Sequence, residues 1–111
     1  MRESADVTHE AVQRRLHAVV GERLPFSASG TGARGTVLLV PGVEVVIILA
    51  DGRSLVGRVV ERDDRRAAVV PWGTMSRAVV ELSQVELAAV VAGVRWEVTA
   101  RIGAKQRKTW R

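Results

Sequence analysis

Two histidines, a charged cluster, a glycine run, three tryptophans and a basic end are the parts of this 111-residue chain whose residue types could do chemistry. His9 and His17 could ligate a metal or act as bases. Their spacing of eight is two helical turns, about 12 Å along the axis, too far for one ion to bridge. A nucleophilic triad would need one of them to meet a Ser and an Asp as well, so both read as solvated helix positions. Arg62-Asp63-Asp64-Arg65-Arg66 holds adjacent carboxylates. A carboxylate becomes a useful general acid only when burial or a close like charge shifts its pKa, and this mixed-charge run between apolar segments reads as a solvated turn. Gly30-Thr31-Gly32-Ala33-Arg34-Gly35 spells G-x-G-x-x-G. The phosphate cradle built on that pattern needs a strand before it and a helix after it. Pro25-Phe26 precedes the run and a strand-like stretch follows, so a flexible loop is expected. With no Cys in the chain, thiolate metal sites, cysteine nucleophiles and disulfide scaffolds drop out together. The sequence thus assigns no catalytic residue, no metal ligand and no cofactor.

The tryptophans and the basic end point to binding instead. Trp96 lies on the apolar side of an alternating run and reads as core. Trp72, in Pro71-Trp72-Gly73 at a strand end, suits either a plug or a stacking platform. The chain carries a formal charge of +5, and its placement is uneven. Residues 1–94 hold eleven Arg and eleven Asp or Glu, which cancel. Residues 95–111 hold Arg95, Arg101, Lys105, Arg107, Lys108 and Arg111 against Glu97 alone. Cations of this kind neutralise phosphates, and an exposed Trp110 could stack on a base for about 1–3 kcal/mol. Arg101, Lys105, Arg107, Lys108, Trp110 and Arg111 are therefore the expected nucleic-acid-binding residues, for RNA or DNA, with Trp72 as an added stacking position. An acidic protein partner would satisfy the same charges, and so would a merely solubilising terminus.

The elements that must carry these residues follow from periodicity. Hydrophobic residues make up 47% of the chain, and a chain of this length buries roughly 65% of its extended surface, enough for one core and not two. Val12, Leu16, Val19 and Val20 recur at helical spacing and predict a helix over 6–22, capped by Asp6 or Thr8 and ended by Gly21 and Pro25. A single apolar stripe requires that it lie on a sheet. Residues 1–26 form this helical segment, 27–36 the Gly/Ser-rich loop, 37–102 a β-domain and 103–111 a basic tail. The 21 valines lean towards strand. Candidate strands are Val37–Val40, Val43–Ala50, Leu55–Glu61, Ala67–Val70, Arg77–Leu82, Val85–Val91 and the alternating run Val94–Ile102. Asp51-Gly52 predicts a tight turn, and Gly57 in mid-strand predicts a bulge or sharp bend. The reading is all-β with an N-terminal helix: a small antiparallel barrel of five to seven short strands. The longest apolar run, Val45 to Ala50, is far below the roughly 20 residues of a membrane helix. No signal-peptide pattern opens the chain, and a cytoplasmic protein is expected.

The stretch Val43-Glu44-Val45-Val46-Ile47-Ile48-Leu49-Ala50-Asp51-Gly52-Arg53-Ser54-Leu55-Val56-Gly57-Arg58-Val59 resembles the first motif of the Sm-like family, whose fold is a strongly bent SH3-like barrel. Val79 to Val91 is similar to the closing strand, turn and strand of such barrels, and the N-terminal helix fits the same pattern. The resemblance covers residues 43–91 and implies the barrel, with self-association through edge strands into a homo-oligomer. It does not carry RNA-binding residues over. The Tyr-Lys-His element of the bacterial RNA chaperones of this family is replaced by Ser76-Arg77-Ala78-Val79-Val80, and the Asn and Arg-Gly of other members are missing. The strand rhythm is also similar to the small β-domains that precede PilZ domains, although no Asp/Asn-x-Ser-x-x-Gly follows Arg62-x-x-x-Arg66. The function expected is a non-enzymatic binding module that self-associates and engages nucleic acid or a nucleoprotein through its basic arm. The alternatives are an assembly protein of a phage virion or secretion system and an accessory β-domain of the PilZ-associated kind.

Overall fold

Val45, Val46, Ile47, Ile48 and Leu49 are all buried, so this strand has no solvent face. An all-apolar run of this kind belongs at the centre of a sheet covered on both sides. The computed structural model describes residues 9–21 and 24–92. It contains helix α1 (His9–Val20), strand β1 (Phe26–Thr31), a short helix α2 (Gly32–Thr36), and strands β2 (Glu44–Leu49), β3 (Ser54–Arg62), β4 (Arg66–Pro71), β5 (Ala78–Glu81) and β6 (Val85–Val91). A 3-10 turn over Leu82–Gln84 joins β5 to β6.

The six strands form one sheet in the order β1-β6-β2-β3-β4-β5, and every neighbouring pair is antiparallel. The fold is mostly β with an N-terminal helix, as the sequence predicts, but the sheet does not close into a continuous barrel. A strand has two flanks, and those of β6 are taken by β1 and β2. Among the described strands β5 is therefore an edge.

Two apolar clusters lie on the two faces, where one core was expected. One holds Val12, Leu16 and Val20 of α1 against Val46, Ile48, Val56, Leu87, Ala89 and Trp72. The other is enclosed by the curl of the sheet and joins Val45, Ile47, Leu55, Val59, Val69, Val80, Val85 and Ala88 with Leu39. Alternation along β2 sends successive residues to opposite clusters, so one strand serves both. α1 is held by Leu16 and Val12, which are almost fully buried, and its Gln13 Nε2 donates to the Leu24 carbonyl at 2.9 Å. Val19, expected on the buried stripe, is exposed; the contact face is narrower and follows the i, i+4 row Val12, Leu16, Val20. Gly21, at φ 80°, ends the helix by donating its N–H to the His17 carbonyl at 2.7 Å.

The segment 27–36 is not a loop. Residues 26–31 are β1, paired along β6, and 32–36 are α2. Its Ser, Ala and Gly have weak strand propensity, and the edge of β6 supplies the ladder that propensity does not. Val37–Val40, expected as a strand, is instead the turn after α2, which drives Leu39 into the core. Gly57 is a close backbone approach: a Cβ there would lie 2.3 Å from the Val70 oxygen and 2.7 Å from the Pro71 Cα. The register shift of β3 lies two residues on, between Val59 and Glu61. The alternating run Val94–Ile102, with Trp96, lies outside the described residues, as do Asp6 and Thr8.

Candidate binding surface

The outer face of β3, β4 and β5 combines apolar and charged residues at the surface. Val60, Ala68 and Val70 are half-buried there, and Val79 is 65% exposed. Cross-strand register places Ala68 between Glu61 and Val79, and Val70 opposite Arg58. Three ion pairs rim the strip: Arg58 Nε to Glu44 Oε2 at 3.0 Å, Arg66 Nε to Glu81 Oε2 at 2.7 Å, and Arg77 to Glu61 at 2.5 Å. Two shallow grooves of about 320 and 330 Å³ lie along it, one at Trp72, Glu44 and Val60 and one at Asp63, Ala68 and Val79. The sequence carried a signal for this strip: Val79 is an apolar residue alternating in phase with Arg77 and Glu81.

The sequence-predicted residues fall elsewhere. Arg101, Lys105, Arg107, Lys108, Trp110 and Arg111 all lie outside the described residues. Trp72 is only 8% exposed, and its ring packs into the cluster beneath α1. Its indole N–H donates to Glu44 Oε1. Of the two readings of Trp72, this burial favours the plug. The apolar neighbours that α1 brings to it decide this, and the tripeptide Pro-Trp-Gly alone does not encode them.

His9 opens α1, and His17 is exposed on it. Arg62–Arg66 is the β3–β4 turn. Asp63 Oδ1 accepts the backbone N–H groups of Arg65 at 2.8 Å and Arg66 at 2.9 Å. Those two bonds hold the Asp63 carboxyl below its ordinary value, the opposite of the shift a general acid needs. Asp51 is lowered in the same way, first by the Arg53 backbone N–H and then by its side chain. Arg62 turns inward and donates to the Thr36 carbonyl at 2.5 Å, tying this turn to the end of α2. No group of three or more His, Asp or Glu side chains positioned for a metal occurs among the described residues.

The glycine run does follow a strand and enter a helix, contrary to the expected context. β1 is antiparallel to its neighbour β6, however, whereas the cradle motif belongs to a parallel βαβ unit. The glycines have a packing role: a Cβ on Gly35 would stand 2.5 Å from the Gly30 oxygen and 3.2 Å from the Ala88 nitrogen. α2 can fold back on β1 and β6 only if that space is empty.

The described part of the protein thus belongs to the class of small antiparallel β-domains with a helix laid on one face. Compared with known proteins, the chain matches no protein-family model and no curated sequence. No helix among the described residues is long and apolar enough to cross a membrane.

Proposed function

We propose that this protein is a non-enzymatic binding module, an Sm-like β-domain whose basic C-terminal segment engages RNA or DNA, or a nucleoprotein. The observation that carries the reading is the segregation of charge. The described residues hold nine Arg and eight acids. Five of those arginines, Arg15, Arg53, Arg58, Arg66 and Arg77, lie within ion-pair distance of a carboxylate. The surplus of the whole chain is in residues 95–111, where a polyanion would meet cations in excess of local acids. The Sm-like part of the reading is supported by the order β6-β2-β3-β4-β5, the preceding helix, the close approach at Gly57 and the 3-10 link between β5 and β6. β1 is an addition to that plan.

Labelled RNA and DNA titrated against the full chain at two salt concentrations test the proposal, beside a full-length variant with Lys105, Arg107 and Lys108 changed to Gln. Affinity should fall with salt, and the slope should shrink by roughly two to three for the variant. Absence of binding to either polymer at low salt would sink the reading.

A further inference from the structure

Among the described strands β5 is an edge with a self-complementary pattern, and we infer that it pairs with the β5 of a second copy of this chain, antiparallel about a two-fold axis at Val79. The first observation is which backbone groups of β5 no other described strand takes up. Leu82 donates its N–H to the Arg65 carbonyl at 2.8 Å, and the register then pairs Val80 with Ala67 and Ala78 with Val69. In an antiparallel ladder, alternate residues turn their N–H and C=O to the same neighbour. Leu82, Val80 and Ala78 therefore face β4, and Glu81, Val79 and, one step further, Arg77 direct theirs to the open side.

The second observation is the side-chain order on those same residues. Antiparallel pairing centred on Val79 sets Val79 against its own copy as a hydrogen-bonded pair. It also sets Arg77 against Glu81 of the copy, and Glu81 against the copy's Arg77. Opposite charges directly across a strand pair stabilise it, and like charges oppose it. The existing cross-strand pairs extend the row, so that Arg66, Glu81, the copy's Arg77 and the copy's Glu61 alternate in sign. Val79, 65% exposed in the single chain, would be covered by its counterpart, and the Ala68–Val79 strip would run on into the second sheet. The inner-face residues Ala78 and Val80 keep their places in the core.

This pairing differs from a head-to-tail ring, in which β5 would join the β6 edge of the next copy. β1 occupies that edge here. An isologous contact closes on itself and yields a dimer. The contact is short, so association is expected to be weak and concentration-dependent.

Sedimentation equilibrium of the full chain, from low micromolar to submillimolar concentration, should move from the single-chain mass towards twice that value. Val79→Lys places two like charges on the axis at an exposed edge position that tolerates lysine. It should remain at the single-chain mass while its circular dichroism and melting temperature match the parent. Arg77→Glu and Glu81→Arg should each weaken self-association, and an equimolar mixture of the two should restore the dimer, because their charges again oppose across the axis. A parent chain that stays at the single-chain mass throughout, or a dimer unchanged in Val79→Lys, would overturn the inference. So would assembly beyond two. The readout is independent of nucleic acid, so its failure leaves the polyanion reading standing, and the reverse.

Discussion

Glu44 joins Trp72 to Arg58: its Oε1 accepts the Trp72 indole N–H, 28 residues away, and its Oε2 accepts Arg58 Nε at 3.0 Å. One carboxylate at the start of β2 thus fixes the end of β4 and the outer face of β3. The indole is wedged between this polar clamp and the apolar side chains beneath α1.

Trp72→Ala is expected to destabilise the fold by about 3–5 kcal/mol, as for truncation of other buried aromatics. Trp72→Phe keeps most of the apolar contact and loses the donor, and should cost about 1–2 kcal/mol. Urea unfolding of both variants separates the two contributions. Equal losses would mean that the hydrogen bond, rather than the packing of the ring, holds this corner.

Gly57→Ala should be among the most damaging single-methyl changes in the chain. The added carbon would meet the Val70 oxygen and Pro71 Cα, both backbone atoms, so relief requires β3 and β4 to part. A loss above about 2 kcal/mol is expected in thermal or urea unfolding. A neutral result would mean that the contact between β3 and β4 is much softer than this approach indicates.

The helix offers an internal comparison. Leu16 is fully buried and Val19 is 39% exposed. Leu16→Ala should cost about 2–5 kcal/mol, whereas Val19→Ala should fall within about 0.5 kcal/mol of the parent, as surface changes do. If Val19→Ala proved the more harmful, α1 would have to lie on the sheet by a different face.

Asp63 gives a pH dependence whose sign is fixed. Its carboxyl is held below the ordinary value of 3.8 by the N–H groups of Arg65 and Arg66. The unfolded chain therefore takes up the proton first. The stabilisation is complete above that ordinary value and is lost as the pH falls through the lower folded value. The difference in melting temperature between the parent and Asp63→Ala should be constant at neutral pH and narrow below about pH 4. A gap that widens on acidification would contradict the turn geometry.

Much of the sheet could be read from local order. The apolar run of β2, the Asp51-Gly52 turn, β3, the charged turn at Arg62–Arg66, β4, and the break at Ser83-Gln84 before β6 all stand where periodicity and turn residues put them. β1 could not be found that way. Ser27, Ser29, Gly30 and Thr31 have loop composition, and only the unpaired flank of β6 makes them a strand.

The same division separates the candidate surfaces. Sequence by itself determined the excess of cations in residues 95–111, because charge is a sum over residues and needs no fold. It also determined which residues alternate along β2 and β5, because a strand's two faces follow from its period. Only the tertiary structure decided that Trp72 is buried, since the chain that covers it, α1, lies more than fifty residues upstream. It alone decided that the sheet of the described residues stays open. Closure would need β5 on the flank of β6 that β1 holds, and so, among the described strands, Arg77, Val79 and Glu81 lie at an edge.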